Sequence, residues 1–164
     1  MKISIATLFI ALITHLMIFA NNFANNKEIV KLPSNRIEVY YLHGTFRCEA
    51  CLTVENLTKA AIFSGKGKNL YSNTEIEVKP QYEKLIRKNI ITFKSINTDE
   101  EKNAHFLKDF NTESQIPVIV LIKNNKIIKI KILEDVWKML DYNDKIINFI
   151  QANINDFLKI LNSK

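Results

Sequence analysis

Residues 37–51, Ile37-Glu38-Val39-Tyr40-Tyr41-Leu42-His43-Gly44-Thr45-Phe46-Arg47-Cys48-Glu49-Ala50-Cys51, put a cysteine pair at the junction of a strand and a helix. Residues 37–42 are β-branched, aromatic and aliphatic, the composition of a buried strand. His43-Gly44-Thr45 breaks that run, and the cysteines follow at once. Beyond them Ala50, Val54, Leu57 and Ala61 recur at spacings of three and four, so residues 49–63 read as a helix. Gly65 and Gly67 are expected to end it.

Further along, residues 66–89 carry no clear period, apart from a helical turn expected over 82–87 after Pro80. Residues 90–96 alternate as a second strand, and Asn97-Thr98-Asp99 supplies capping groups for a helix over 100–110. That helix is expected to bury Ala104, Leu107 and Phe106. Ile116-Pro117 precedes the apolar run 118–122, which reads as a central strand. Asn124-Asn125 suits a hairpin turn. The return strand 126–133 alternates, with Ile128, Ile130 and Ile132 expected inside and Lys129 and Lys131 outside. A last helix over 142–161 gathers Ile146, Phe149, Ile150, Ile154, Phe157 and Leu161 on one face. The order strand, helix, strand, helix, strand, strand, helix predicts an α/β fold: a central mixed β-sheet flanked by helices.

The junction carries the chemistry. Backbone N–H groups at a helix start lack partners, and the helix dipole is positive there. Such a place favours thiolate over thiol, which makes Cys48 the nucleophile and the deeper Cys51 the resolving thiol. Arg47 is expected to add a positive charge beside Cys48. His43 is the other supporting side chain near the pair in sequence. The Ile116-Pro117 step is expected beside the cysteines as a substrate-binding turn. An X–Pro bond is the one kind with ready access to the cis form, and a cis step there is the expectation. A trans proline opening a strand is the ordinary alternative.

Other chemistries find less support. The chain has only two cysteines, and they close a very short loop that restrains the unfolded chain little, so a purely structural bridge is the weaker reading. Zinc usually takes four protein donors, and outside the first 20 residues only His43 and His105 join the cysteines as His or Cys ligands. No metal site is therefore expected. Nor is there a phosphate loop, a metalloprotease helix or a serine nucleophile elbow, and no cofactor is expected. His105 reads as an ordinary helix histidine and Trp137 as a packing anchor.

An apolar fraction of 47% with 24% charged residues is that of a globular chain. The net charge of +6 is spread along the chain. Lys123, Lys126, Lys129 and Lys131 alternate with isoleucines, as on the wet face of a sheet. With no basic arm or nucleic-acid-binding signature, no nucleic-acid partner is expected. At the start, Lys2 precedes an apolar run to Ala20, then Asn21 and Asn22. Residues 1–20 therefore read as a signal peptide or an uncleaved membrane anchor. Membrane contact follows only in the second case, and either leaves the body extracytoplasmic, whether periplasmic, secreted or anchored facing outside. Residues 21–35 read as a linker and 36–164 as the folded domain.

Residues 36–161 resemble the thioredoxin-like family known as nitrophenyl compound nitroreductase subunit, ArsF type. The resemblance rests on residues 39–51, on Ile96-Asn97-Thr98-Asp99-Glu100 with Asn103-Ala104-His105-Phe106, and more weakly on Val136-Trp137-Lys138-Met139-Leu140. It implies a thioredoxin-like fold with Cys48 and Cys51 as the redox centre. It also implies a protein or small-molecule disulfide or dithiol as substrate, and a membrane electron carrier as a partner that could recharge the pair. The Trp-Cys-Gly-Pro-Cys of thioredoxins is here Arg47-Cys48-Glu49-Ala50-Cys51, and their buried acid six positions earlier is Leu42. A proton acceptor for Cys51 must then come from His43 or water. The expected function is an extracytoplasmic thiol–disulfide oxidoreductase. A non-enzymatic binding module, or a thiol-based metal-binding accessory protein, is the rival.

Overall fold

A computed structural model of the protein describes residues 32–113 and 115–163. The expected leader, residues 1–20, and most of the expected linker lie outside them. The described residues form six strands: β1 (Arg36–His43), β2 (Gly65–Asn69), β3 (Thr74–Val78), β4 (Ile91–Asn97), β5 (Ile116–Lys123) and β6 (Lys126–Ile132). The α-helices are α1 (Glu49–Phe63), α2 (Glu83–Arg87), α3 (His105–Phe110) and α4 (Asn143–Asn162). Two 3-10 turns, Glu101–Asn103 and Glu134–Met139, precede α3 and α4.

The main sheet has the order β4-β1-β5-β6. β1 runs parallel to β4 and antiparallel to β5, and β6 returns antiparallel to β5. The architecture is thus α/β, with a mixed four-stranded sheet flanked by helices. Alternation along β1 explains why all of residues 37–42 are buried. Ile37, Val39 and Tyr41 enter a large core with Val54 and Leu57 of α1 and Ile146, Ile150, Ile154 and Phe157 of α4. Tyr40 and Leu42 point to the opposite face, into a smaller cluster with Ile116, Val118 and Val120 of β5 and Phe110 of α3. Successive strand residues face opposite sides, so a strand between two packed layers needs apolar residues at both parities. Glu38 is the exception on this strand. Its carboxylate meets Arg36, Lys94 and the Tyr40 hydroxyl, and is held below its usual pKa: burial raises it, and these partners outweigh burial.

Several expectations need correction. The stretch 66–89 contains the antiparallel hairpin β2–β3, and Gly65 and Gly67 are part of β2 rather than plain helix terminators. Gly67 is needed for close approach, since a Cβ there would lie 3.0 Å from both Ala60 Cβ and Leu57 Cδ2. The helix expected over 100–110 is broken into a 3-10 turn and the short α3. Ala104 is exposed, while Phe106 and Leu107 are half-buried against the smaller cluster. On β6, Ile130 and Ile132 are half-buried as expected, but Ile128 is 55% exposed: β6 is an edge strand, and a register irregularity at Leu121/Ile122 leaves Ile128 without a partner on β5. Lys129 lies over the Phe157 ring at 5.3 Å, so that face of β6 borders α4.

At the near end of the described chain, the Asn124-Asn125 turn is tied to the start of β1. Asn125 N–H donates to Ser34 O at 2.9 Å, and Asn124 N–H donates to Asn35 Oδ1 at 2.8 Å. Residues 34 and 35 of the expected linker are therefore anchored to the sheet. Among the described residues, no helix is long and apolar enough to cross a membrane.

Candidate redox site

β1 delivers the chain to α1 through residues 44–48, and Cys48 is the N-cap of α1, with extended backbone at φ −79°, ψ 163°. An N-cap side chain is placed to accept from the free N–H groups of the first turn. Here Cys48 Sγ accepts from Cys51 N–H at 3.1 Å, and Leu52 N–H donates to Cys48 O at 2.9 Å. Cys48 and Cys51 are joined as a disulfide, with Cα atoms 5.0 Å apart. The two sulfurs are not equivalent. Cys48 is half-buried, whereas Cys51, one turn into the helix and facing the sheet, is 1% exposed. In the reduced protein the same backbone N–H, at the positive end of a 15-residue helix, would face the Cys48 sulfur, a setting that favours thiolate over thiol.

Cys51 is held from two directions. Its carbonyl accepts from the buried Tyr41 hydroxyl at 2.7 Å. Burial pushes the Tyr41 phenol well above its usual range, which keeps it a donor. Its sulfur lies 2.6 Å from Oε1 of Gln115, the residue just before β5. Gln115 has φ +66°, a left-handed conformation that non-glycine residues seldom adopt.

The expected supporting residues are placed differently. Arg47 does not stand as a lone cation beside Cys48, and that expectation is corrected. Its guanidinium pairs with the buried carboxylate of Glu55 and lies 5.7 Å from the Tyr41 ring centroid. Lys59, one turn further along α1, reaches the other Glu55 oxygen at 2.7 Å. Burial alone would raise the Glu55 pKa, but hydrogen bonds from Lys59, Arg47 and Ser95 bring it down to about 2. Glu55 is thus ionised at neutral pH and offsets the Arg47 charge. His43 Nδ1 lies 2.8 Å from Gly44 O, a contact within its own turn rather than with a sulfur.

That turn is fastened by the end of β4, where Asn97-Thr98-Asp99 was expected to cap a helix. Thr98 N–H donates to His43 O at 2.7 Å, and Asp99 Oδ2 accepts from Thr45 N–H at 2.6 Å. The Thr45 hydrogen bonds hold the Asp99 carboxyl below its usual range. Gly44 is buried under the same carboxylate, which a Cβ would approach to 3.1 Å. The loop before the cysteines is therefore fixed, except for Phe46, which is 78% exposed.

Register places Ile116 opposite Leu42 and Pro117 opposite Tyr41, so this step does lie at the end of β1 that leads to the pair. The expected cis bond is absent: Ile116–Pro117 is trans, like every peptide among the described residues. Both residues continue the β5 ladder, and a cis peptide would shorten the chain by about 0.9 Å between Cα atoms and break that register. The Pro117 carbonyl is already engaged, accepting from Leu133 N–H at 3.0 Å. The Ile116 side chain belongs to the smaller cluster and lines a cavity of about 370 Å³ with Trp137 and Thr112.

Among the described residues, no group of three or more His, Cys, Asp or Glu side chains could hold a metal ion. His105 is exposed and lies 4.0 Å from Asp109, within its own helix. Sequence reasoning missed Glu55, Asp99 as a loop anchor, and Gln115. Lys59 four residues after Glu55 was a usable signal for the first. No family model, no curated protein and no solved structure matches this chain.

Proposed function

We propose that the protein is an extracytoplasmic thiol–disulfide oxidoreductase of thioredoxin-like fold, with Cys48 as the attacking sulfur and Cys51 as the resolving one. The observation that carries this reading is the asymmetry of the pair: a half-buried Cys48 Sγ accepting a helix N-terminal N–H, bonded to a buried Cys51. Support for the fold comes from the sheet order β4-β1-β5-β6, with the pair between the first strand and first helix of that sheet. Support for the location is the pattern of residues 1–20 alone.

In the reductive direction, Cys48 thiolate attacks a substrate disulfide and displaces one substrate thiolate, which takes a proton from solvent. Cys51, once deprotonated, attacks Cys48 of the mixed disulfide. The Cys48–Cys51 bond forms, the second substrate thiol leaves, and two electrons have passed to the substrate. The reverse sequence oxidises a dithiol. The exposed Phe46 supplies an apolar contact for a peptide substrate beside the pair. A membrane electron carrier fits as the partner that resets the pair.

The test is to equilibrate the protein with glutathione buffers and to react Cys51→Ala with disulfide substrates. Exchange chemistry gives a reversible dithiol/disulfide equilibrium and mixed disulfides trapped on Cys48. A pair that stays oxidised across all physiological poises, with no trapped adduct, rejects the reading in favour of a docking module.

A further inference from the structure

We infer that Gln115 is a positioning residue for Cys51, accepting the hydrogen bond of its thiol whenever the pair is reduced. The inference rests on the oxidoreductase reading for its role in turnover, but its geometry stands alone. Gln115 Oε1 lies 2.6 Å from Cys51 Sγ, across 64 residues of sequence. A disulfide sulfur carries no proton, so in the oxidised protein this is a close approach of sulfur and amide oxygen. Reduction adds a proton to that sulfur, and the amide oxygen, moved outwards to the length of an S–H···O bond, is a neighbouring acceptor for it.

Four further observations point the same way. Cys51 is 1% exposed, so water is a poor alternative partner for its thiol. The position where thioredoxins carry a buried acid is Leu42, which faces the opposite side of the sheet into the smaller cluster. His43, the other candidate, keeps its ring nitrogen against Gly44 O. Gln115 is also held at φ +66°, a conformation unfavourable for its residue type, immediately beside the reacting sulfurs. Such conformations persist where surrounding structure enforces them, and they cluster at functional sites. Here the enforcing element is β5, which starts at Ile116 and pairs at once with Leu42.

The amide cannot act as a base near neutral pH. It holds the neutral Cys51 thiol in place beside Cys48, and that thiol must lose its proton to another acceptor before the resolving attack. The acceptor therefore stabilises the dithiol over the disulfide and makes the pair more oxidising than the helix terminus alone would.

Cys48→Ala leaves Cys51 as the single thiol of the chain. Its Raman S–H stretching band is expected at the low wavenumber of a hydrogen-bonded thiol. Adding Gln115→Met should move the band upward, and Gln115→Glu, which keeps an acceptor oxygen, should restore it. In the intact pair, Gln115→Met is expected to shift the glutathione equilibrium towards the disulfide by about fivefold, the worth of one ordinary hydrogen bond. The alkylation rate of Cys48 in a Cys51→Ala background should not change. Gln115→Gly removes the same amide while suiting the backbone, and serves if the methionine variant does not fold. An S–H band unmoved in these variants overturns the role of Gln115, whatever the pair does in turnover. A wild-type pair that fails to exchange with glutathione rejects the oxidoreductase reading instead.

Discussion

The guanidinium of Arg47 is paired with the buried carboxylate of Glu55, two turns along the helix that Cys48 caps. A positive charge next to a reactive cysteine is thereby balanced by an acid that the same helix carries. Removing that acid is expected to act at both ends. Glu55→Gln should cost about 3 kcal/mol, because Arg47 would keep a half-buried charge with no carboxylate opposite it. It should also lower the pKa of reduced Cys48, read from the pH dependence of its alkylation rate. A Cys48 pKa unchanged in a folded variant would show that the ion pair is silent at the sulfur.

The same group sets an acid limb to stability. Its folded pKa, about 2, lies below the ordinary glutamate value. A depressed pKa contributes stability that is complete above the unfolded value and is lost as pH falls through the folded one. For Glu55 that window runs from about 4.5 down to about 2, and its size is of the order of 3 kcal/mol. Denaturation midpoints measured across that window should fall less steeply in Glu55→Gln than in wild type.

Asp99→Ala should loosen the turn before the cysteines without unfolding the sheet. Thr45 N–H loses its acceptor, and its amide hydrogen exchange is expected to accelerate by roughly tenfold or more, with little change at β1. Because Asp99 is held below its usual pKa, the wild-type protection of Thr45 should persist at neutral pH and fade only on strong acidification.

Gly67→Ala tests the seat of the extra hairpin. The new Cβ would press on Ala60 and Leu57 at 3.0 Å, and overpacking of this kind costs about 1–3 kcal/mol. Chemical denaturation should show a lowered midpoint with an unchanged slope.

Phe46→Ser separates docking from chemistry. With the ring 78% exposed, stability should change by less than about 0.5 kcal/mol. Reaction with a small disulfide should keep its rate, while reaction with a peptide disulfide slows severalfold. Equal slowing with both would place Phe46 in the chemistry rather than in recognition.

What could be read in the sequence follows from how each element is buried. β1 and β5 have apolar residues at both parities because layers cover both faces, and such runs stand out. α4 was legible from its stripe, although the buried Ile147 and Asn153 lay outside it. The β2–β3 hairpin was not, since Gly65-Lys66-Gly67-Lys68-Asn69 leans on α1 through a glycine and a buried asparagine rather than through apolar side chains. Asn69 holds that hairpin by donating to Leu140 O and Asn143 Oδ1, and by accepting from Thr53 Oγ1, contacts with no local pattern. The helix over 100–110 failed because Asn97 and Asp99 bond Thr45 in the loop before the cysteines instead of capping it. The cysteine pair was legible from spacing and placement. Gln115 was not, because one glutamine 64 residues away becomes a neighbour only through the antiparallel pairing of β5 with β1.

The burial of Cys51 under Tyr41 and Gln115 has an arithmetic consequence. A protein with two accessible sulfurs could be linked to two partners at once and serve as a bridge between them. Under the proposed exchange chemistry this one offers a single point of attachment, so donor and acceptor would have to visit it in turn. Its kinetics with any pair of partners should be ping-pong, with parallel double-reciprocal lines and no ternary complex.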